Sequence, residues 1–273
     1  MELLLIITVL CYLISSGIYV AFLFFQKEAL HKWGFYLLAG GFIFHTVAII
    51  ATAVRIGSLP AHNLHQNLIL AAWAVGGVFL LFRLRYNLKI LGIFAAPLAS
   101  AAMIAAMIAP REPVQMQQIF NSFWLVLHVI SIFIGEAAFA LACGLGIFYI
   151  LQENAIKTKR RGFFFKRLPN LELLDASGYA CLVVGFSMLT LGFITGFVYA
   201  QLVWGRLWSW DPKEVWSGIT WLLYAAMLHG RLAIGWRGRK AAVMAIIGFA
   251  FLLFTFLGVN FLLQGHHGDF TRW

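Results

Sequence analysis

The feature that most constrains this chain is a succession of eight apolar stretches, at about 2–25, 33–54, 67–82, 89–109, 119–150, 177–202, 217–233 and 241–262. A helix needs about 20 mostly apolar residues to cross a hydrocarbon core of roughly 30 Å, and each stretch is long enough to be read as such a span. Only 11% of the 273 residues are charged while 62% are hydrophobic, a balance that excludes a soluble domain of this size. The short alternating segments of a membrane barrel do not occur. The expectation is therefore an all-α, polytopic membrane helix bundle of about eight transmembrane helices. The first stretch has a long apolar run, no basic flank before it and no small-residue cleavage site after it, so it is expected to be a retained helix. The longest polar interval, Gln152 to Asp175, is too short for a separate domain. Residues 1–273 are expected to form a single integral-membrane domain.

The net charge of +10 could suggest nucleic acid, but its distribution is one-sided. Placing the N-terminus outside puts fifteen of the twenty Lys and Arg residues in inner loops and leaves Arg55, Arg111, Arg206, Lys213 and Arg272 outside. That asymmetry is the positive-inside pattern of a cytoplasmic membrane protein. It predicts both termini outside and gives no reason to expect a nucleic-acid partner.

With this orientation the stretch WGRLWSWDPKEVW, residues 204–216, falls outside, between the sixth and seventh helices. Tryptophan gathers at membrane interfaces, so an aromatic belt is the simple explanation. Five of the ten tryptophans (204, 208, 210, 216 and 221) nevertheless fall within 18 residues, interleaved with Asp211, Lys213 and Glu214. A belt needs no acid at its centre. A shelf for a large, flat, apolar ligand with charged edges needs rings for its face and polar groups for its rim.

The histidines narrow the ligand. His45 lies about 18 Å into the second stretch and His229 about 20 Å along the seventh from Trp216, so their depths overlap near mid-membrane. Ionisable groups at that depth face the bundle interior and are functional candidates, although either one alone could simply bridge helices. His128 sits near the outer end of the fifth stretch, and His266 and His267 follow the eighth on the same side. Histidine is a common axial ligand of haem iron, which suggests an outer pair over the aromatic shelf and an inner pair between helices. Glu136, an acid inside the fifth stretch, calls for a partner, and a histidine is a candidate. His62 and His65 have a metal-compatible spacing, but no third ligand is evident. Cys11, Cys143 and Cys181 are isolated, which excludes Cys-x-x-Cys exchange chemistry.

The run WGRLWSWDPKEVWSGITWLLY, 204–224, resembles the tryptophan-rich WWD signature of the CcsA/CcmC/HemX-like cytochrome c assembly proteins, a haem-handling membrane family. Gly41–Thr46, the 60–63 loop, His128–Val129, His229 and Gly258–His267 resemble family positions in the same order, so the resemblance covers most of the chain. Eight helices and a mid-membrane histidine pair favour the CcsA/HemX-like branch.

The resemblance implies haem b as ligand, with His128 and a histidine after the last helix as axial ligands at the outer face. Trp204, Trp208, Trp210, Trp216, Asp211 and Glu214 would lie against the porphyrin. His45 and His229 would hold haem within the membrane. One departure is Gly265-His266-His267-Gly268-Asp269 where the family has Gly-Leu-His-Ser-Tyr; alignment favours His267, and His266 could substitute. The 55–67 loop also departs, with His65 and Gln66 where an aromatic and an acid are expected.

The implied function is haem transport or presentation for covalent attachment to apocytochrome c, as a subunit of a cytochrome c synthase (haem lyase) complex. No nucleophile–base pair stands out, so catalysis would be by positioning. With so little chain outside the membrane, a partner subunit carrying an outer domain is expected. Two alternatives stay open: a HemX-like membrane regulator of a tetrapyrrole-biosynthesis enzyme, and a quinone-binding or transporter-like protein that uses Trp and His for packing.

Overall fold

The computed structural model describes residues 1–111, 122–158 and 162–258. Eight α-helices follow one another: α1 (Glu2–Phe25), α2 (Glu28–Ile56), α3 (Leu64–Tyr86), α4 (Gly92–Ile108, entered through a 3₁₀ turn at Lys89–Leu91), α5 (Phe123–Lys157), α6 (Leu171–Trp204), α7 (Pro212–Ala233) and α8 (Arg239–Leu253, ending in a π turn at Phe254–Gly258). Among the described residues there is no strand. Seven of these segments are long and apolar enough to cross a membrane, and the protein is integral to one. The eighth, α7, is amphipathic: it carries Lys213, Glu214 and Arg231 and buries only Thr220, Tyr224, Met227 and Gly230.

The bundle has two halves. In the first, α1 packs along α2 and α4, and α3 along α4; in the second, α5 packs along α6 and α8, with α7 laid against α6 and α8. The halves meet where α3 touches α5. Without a hydrophobic drive between helices in lipid, close backbone approach matters, and small residues permit it. Gly135 of α5 is such a point, because a Cβ there would stand 3.1 Å from both the Gly185 carbonyl and the Leu189 amide of α6. The outward faces are apolar too: Leu3, Val54 and Leu84 are strongly exposed, as lipid-facing side chains are.

The helix starts show where local chemistry overrides hydropathy. The apolar pattern begins the seventh helix at 217, but α7 begins at Pro212. Asp211 is its N-cap, Pro212 occupies the first turn and Glu214 closes a capping box, so polar residues found the helix. The expected 204–216 loop is thereby divided: Trp204 ends α6, residues 205–211 connect, and 212–216 are already helical. Asn63 and Asn170 cap α3 and α6 in the same manner, starting both helices earlier than their apolar runs do.

Candidate functional site

The site is built on the turn between α6 and α7. Helix α6 stops at Gly205, which takes the left-handed conformation (φ 67°) and returns its N–H to the Gln201 carbonyl. The chain then dips back into the bundle. Trp221 donates its indole N–H to Thr190 Oγ1 at 2.9 Å. Trp221 lies about 13 Å along α7 from its start and Thr190 about 21 Å from the end of α6, so α7 begins about 8 Å deeper than α6 ends.

The dip is held by the two acids of the tryptophan motif. Glu214 accepts from the Ser209 hydroxyl at 2.7 Å, from the Ser209 amide at 2.8 Å and from the Asp211 amide at 3.4 Å. Asp211, only 4% exposed, accepts from the Lys213 amide at 2.9 Å. These bonds hold Trp210 at φ 58°, a left-handed conformation that costs a non-glycine residue about 1–3 kcal/mol. The acids expected at a ligand's rim thus act first on the chain's own backbone, although Glu214 also borders the cavity described next.

Beneath the turn lies a cavity of about 370 Å³, walled by α5, α6, the start of α7, the end of α8 and the α2–α3 connector. Its size is in the range of small-molecule sites. Trp204 and Trp208 line it, whereas Trp210 projects outward at 78% exposure and Trp216 packs edge-on against Phe254 at 4.8 Å. The Trp208 indole nitrogen is buried and makes no hydrogen bond to any described residue. The tryptophans therefore divide into two wall rings, one outward ring and one packing ring.

His128 of α5 stands in the same wall. Its Nδ1 lies 2.6 Å from the Gly192 carbonyl of α6. A carbonyl only accepts, so Nδ1 carries a proton, and in the neutral ring the lone pair then belongs to Nε2. The ring can lie this close because α6 is glycine there: a Cβ at Gly196 would stand 2.6 Å from Nδ1 and 2.8 Å from Cε1. Gly192 and Gly196, one turn apart, form the seat of the imidazole.

Three cavity residues were not marked as site residues by sequence. His62, in the α2–α3 connector, is buried in the wall with its Nε2 3.0 Å from Ser58 Oγ. Burial holds its imidazole below the ordinary range, against a backbone hydrogen bond to Leu59. Lys213 turns into the cavity, and so does Glu136 from α5. Lys213 shares this wall with Glu136, and so do His62 and His128.

His45 and His229 are not brought together. His45 is fully buried in the first half, its Nδ1 3.3 Å from the Tyr12 hydroxyl of α1. His229 is exposed on α7, in the second half. Overlapping depth had suggested the pair, but depth does not fix which way a side chain points around the bundle. His266 and His267 lie outside the described residues. His65 bonds through Nδ1 to the Ala106 carbonyl at 2.6 Å, and His62 precedes α3 altogether, so the two share no helical face. Among the described residues no group of three or more His, Cys, Asp or Glu side chains could hold a bare metal ion.

Residues 61–267 match the family described as Cytochrome C assembly protein. Several proteins called cytochrome c biogenesis protein CcsA are similar over most of the chain. That of Synechococcus sp. (strain JA-3-3Ab) is 30% identical over 81% of this chain and 81% of its own. That of Chlorella vulgaris is 32% identical, again over 81% of each. That of Chlamydomonas reinhardtii is 36% identical over 77% of this chain and 61% of its own. Among solved structures, cytochrome c heme lyase CcmF superimposes with a TM-score of 0.63 at 17% identity over 98% of this chain. That likeness is one of fold, and the chain spans 48% of that structure.

Proposed function

The chain belongs to the cytochrome c assembly protein family, and from that premise we propose that it binds haem b within the membrane and presents it at the outer face for attachment to apocytochrome c. The observation that carries this is the cavity wall: an imidazole whose tautomer is fixed by Gly192, two indole rings, one of them with an unused N–H, and a single lysine. A flat apolar ring with a metal at its centre and acids at one edge asks for that set. The hydrogen bond from Nδ1 to the Gly192 carbonyl aims His128 and raises its basicity as a ligand. His267, or His266 beside it, supplies the opposite axial ligand in this proposal.

Haem enters as substrate, and attachment adds two cysteine thiols of the apocytochrome across its vinyl groups. The protein's part is to hold, orient and exclude water, which suits a site with no nucleophile–base pair among its described residues. Charge asymmetry supports an orientation in the cytoplasmic membrane with the tryptophan turn and both termini outside. In that frame a partner subunit with an outer domain receives the apocytochrome. His229 stands on the bundle surface, where haem in transit could be met, and His45 is proposed for an inner haem only with a rearrangement of α1 and α2. The regulatory alternative rests on length and a basic loop alone, whereas resemblance to CcsA proteins over about four-fifths of the chain favours assembly.

The test is maturation itself, with the chain and its partner subunit supplied to cells that lack their own attachment system, and covalent haem on a reporter cytochrome c stained after denaturing gel electrophoresis. The proposal expects stained cytochrome with the wild-type chain and none with His128→Ala at equal membrane abundance. Full staining with His128→Ala would overturn the assigned site.

A further inference from the structure

At the far end of α7 from the tryptophan turn lies a second cavity, a slot of about 50 Å³ walled by α5, α6, α7 and α8. It is narrow, with room for a few water molecules or methylene groups. Its wall is largely apolar and is kept thin by small residues: Gly146 of α5, Gly178 of α6, and Ala241 and Ala242 of α8. A Cβ at Gly178 would meet nothing within 4 Å, so that stretch of wall borders open space. Tyr224 belongs to the lining at 1% exposure, and its hydroxyl has no hydrogen-bond partner among the described residues. An unpaired buried hydroxyl costs free energy, which an acceptor entering the slot would offset.

The mouth of the slot carries charge. The Asp175 carboxylate accepts from Arg231 at 2.6 and 2.7 Å and from the Gly238 amide at 2.8 Å, while the Trp236 amide donates to the Gly230 carbonyl at 2.9 Å. These bonds pin the α7–α8 connector on both sides of Arg237, which is exposed between them. Lys240 is exposed too, its Nζ 3.7 Å from the centre of the Trp236 ring. Trp236, Gly238 and Ala241 line the slot, so Arg237 and Lys240 stand at its edge. The acids of this corner are taken, Asp175 by Arg231 and Glu153 by Lys157 and Arg239. Arg237 and Lys240 belong to no ion pair among the described residues. The positive-inside rule accounts for cations on this side, but not for two unpaired ones held beside an apolar slot. Tyr149, Tyr179 and Trp236 sit at the same rim, and the apolar span Arg239–Gly258 starts here. The slot therefore opens at the boundary between hydrocarbon and headgroups.

We propose that this corner binds a membrane phospholipid of net negative charge, with its phosphate between Arg237 and Lys240 and its glycerol esters and first methylenes in the slot. The proposal stands independently of the haem reading. An anion fits because the nearby acids already have their cations and two cations remain, and a headgroup amine would bring a third charge of the same sign beside them. A lipid fits better than a free anion because the space behind the cations is apolar. About 50 Å³ does not enclose an acyl chain, so the tails run in the bilayer past the half-buried rim and the slot takes the neck of the molecule. The bound lipid then braces the end of α7 that the capping box of the tryptophan turn does not reach, tying it to α6 and α8.

The experiment uses the detergent-purified, delipidated full chain and measures, by native mass spectrometry, the dissociation constant of the first bound molecule. The probes are dioctanoylphosphatidylglycerol, dioctanoylphosphatidylcholine and glycerol phosphate. Wild type is expected to bind the phosphatidylglycerol about tenfold or more tightly than either of the others, as a charge-assisted hydrogen bond would give. Arg237→Gln combined with Lys240→Gln should lose the preference between the lipids, and Arg237→Lys should keep it. Gly178→Leu, which fills the slot, should weaken both lipids at preserved helicity. Equal affinity of wild type for the two lipids, or an undiminished preference in the double variant, would overturn the proposal. Glycerol phosphate bound as tightly as the phosphatidylglycerol would mark a free-anion site and overturn it as well. Unchanged lipid binding in Gly178→Leu would put the lipid outside the slot and overturn the assignment. Should Gly178→Leu fail to fold, the wild-type ratio of phosphatidylglycerol to glycerol phosphate affinity decides whether the slot takes part.

Discussion

Replacing Gly196 by alanine puts a methyl group 2.6 Å from Nδ1 and 2.8 Å from Cε1 of His128, where ordinary contact begins at 3.4 Å. The imidazole must retreat by about 0.8 Å, the difference between 3.4 and 2.6 Å. Moving away from α6, it stretches the 2.6 Å bond to the Gly192 carbonyl to the limit of hydrogen bonding. Overpacking of this kind costs about 1–3 kcal/mol and a lost neutral hydrogen bond about 1 kcal/mol. The chemical consequence is larger, because an axial ligand misplaced by that distance with its tautomer released no longer coordinates well. Gly196→Ala is expected to weaken haem binding at least about tenfold and to shift the Soret maximum. Gly178→Ala is the control: it lies on the same helix, its Cβ would meet nothing within 4 Å, and it should be neutral or stabilising by up to about 1 kcal/mol. Wild-type haem affinity and an unshifted Soret band in Gly196→Ala would refute the claim that the glycine seat aims His128.

The remaining predictions concern the turn and the orientation. Glu214→Ala removes the acceptor of three bonds that hold residues 209–211, each to a charged oxygen and so worth about 1.5–3 kcal/mol. Amide exchange at Ser209 and Asp211 should accelerate about ten- to hundredfold while exchange along α5 stays unchanged; unchanged protection at Ser209 would refute the assigned role. For orientation, a membrane-impermeant thiol reagent added to intact cells should label Arg206→Cys and spare Lys157→Cys, both exposed positions. The opposite result would invert the topology and move the site to the cytoplasmic side.

Much of this protein is legible in its sequence because lipid makes one rule dominate: each apolar stretch must be a helix, and each of the eight holds one among the described residues. The rule says where a helix crosses and not where it begins. The first turns of α3, α6 and α7 were misplaced because Asn63, Asn170 and the Asp211–Glu214 capping box extend helices into polar sequence. That last signal, Asp-Pro-Lys-Glu before an apolar run, could have been read in advance. The candidate site was legible in part. His128, Trp204 and Trp208 do meet at one cavity, but nothing in spacing says that Trp210 turns outward, or that Lys213 and Glu136, 77 positions apart, share a wall. The same limit explains His45 and His229: sequence gives depth through the 1.5 Å rise, while partnership depends on the packing of α2 and α7, which belong to different halves.

The proposed function stands or falls on this cavity holding haem through His128. Its most direct test is the oxidised and reduced absorption spectrum of the purified protein, with extracted haem quantified, for wild type and for His128→Gly with and without imidazole. The wild type should show a Soret band, His128→Gly should lose or displace it at preserved helicity, and imidazole filling the vacated position should partly restore it. A wild-type protein with no Soret band, or a His128→Gly protein with the wild-type spectrum and haem content, would contradict it.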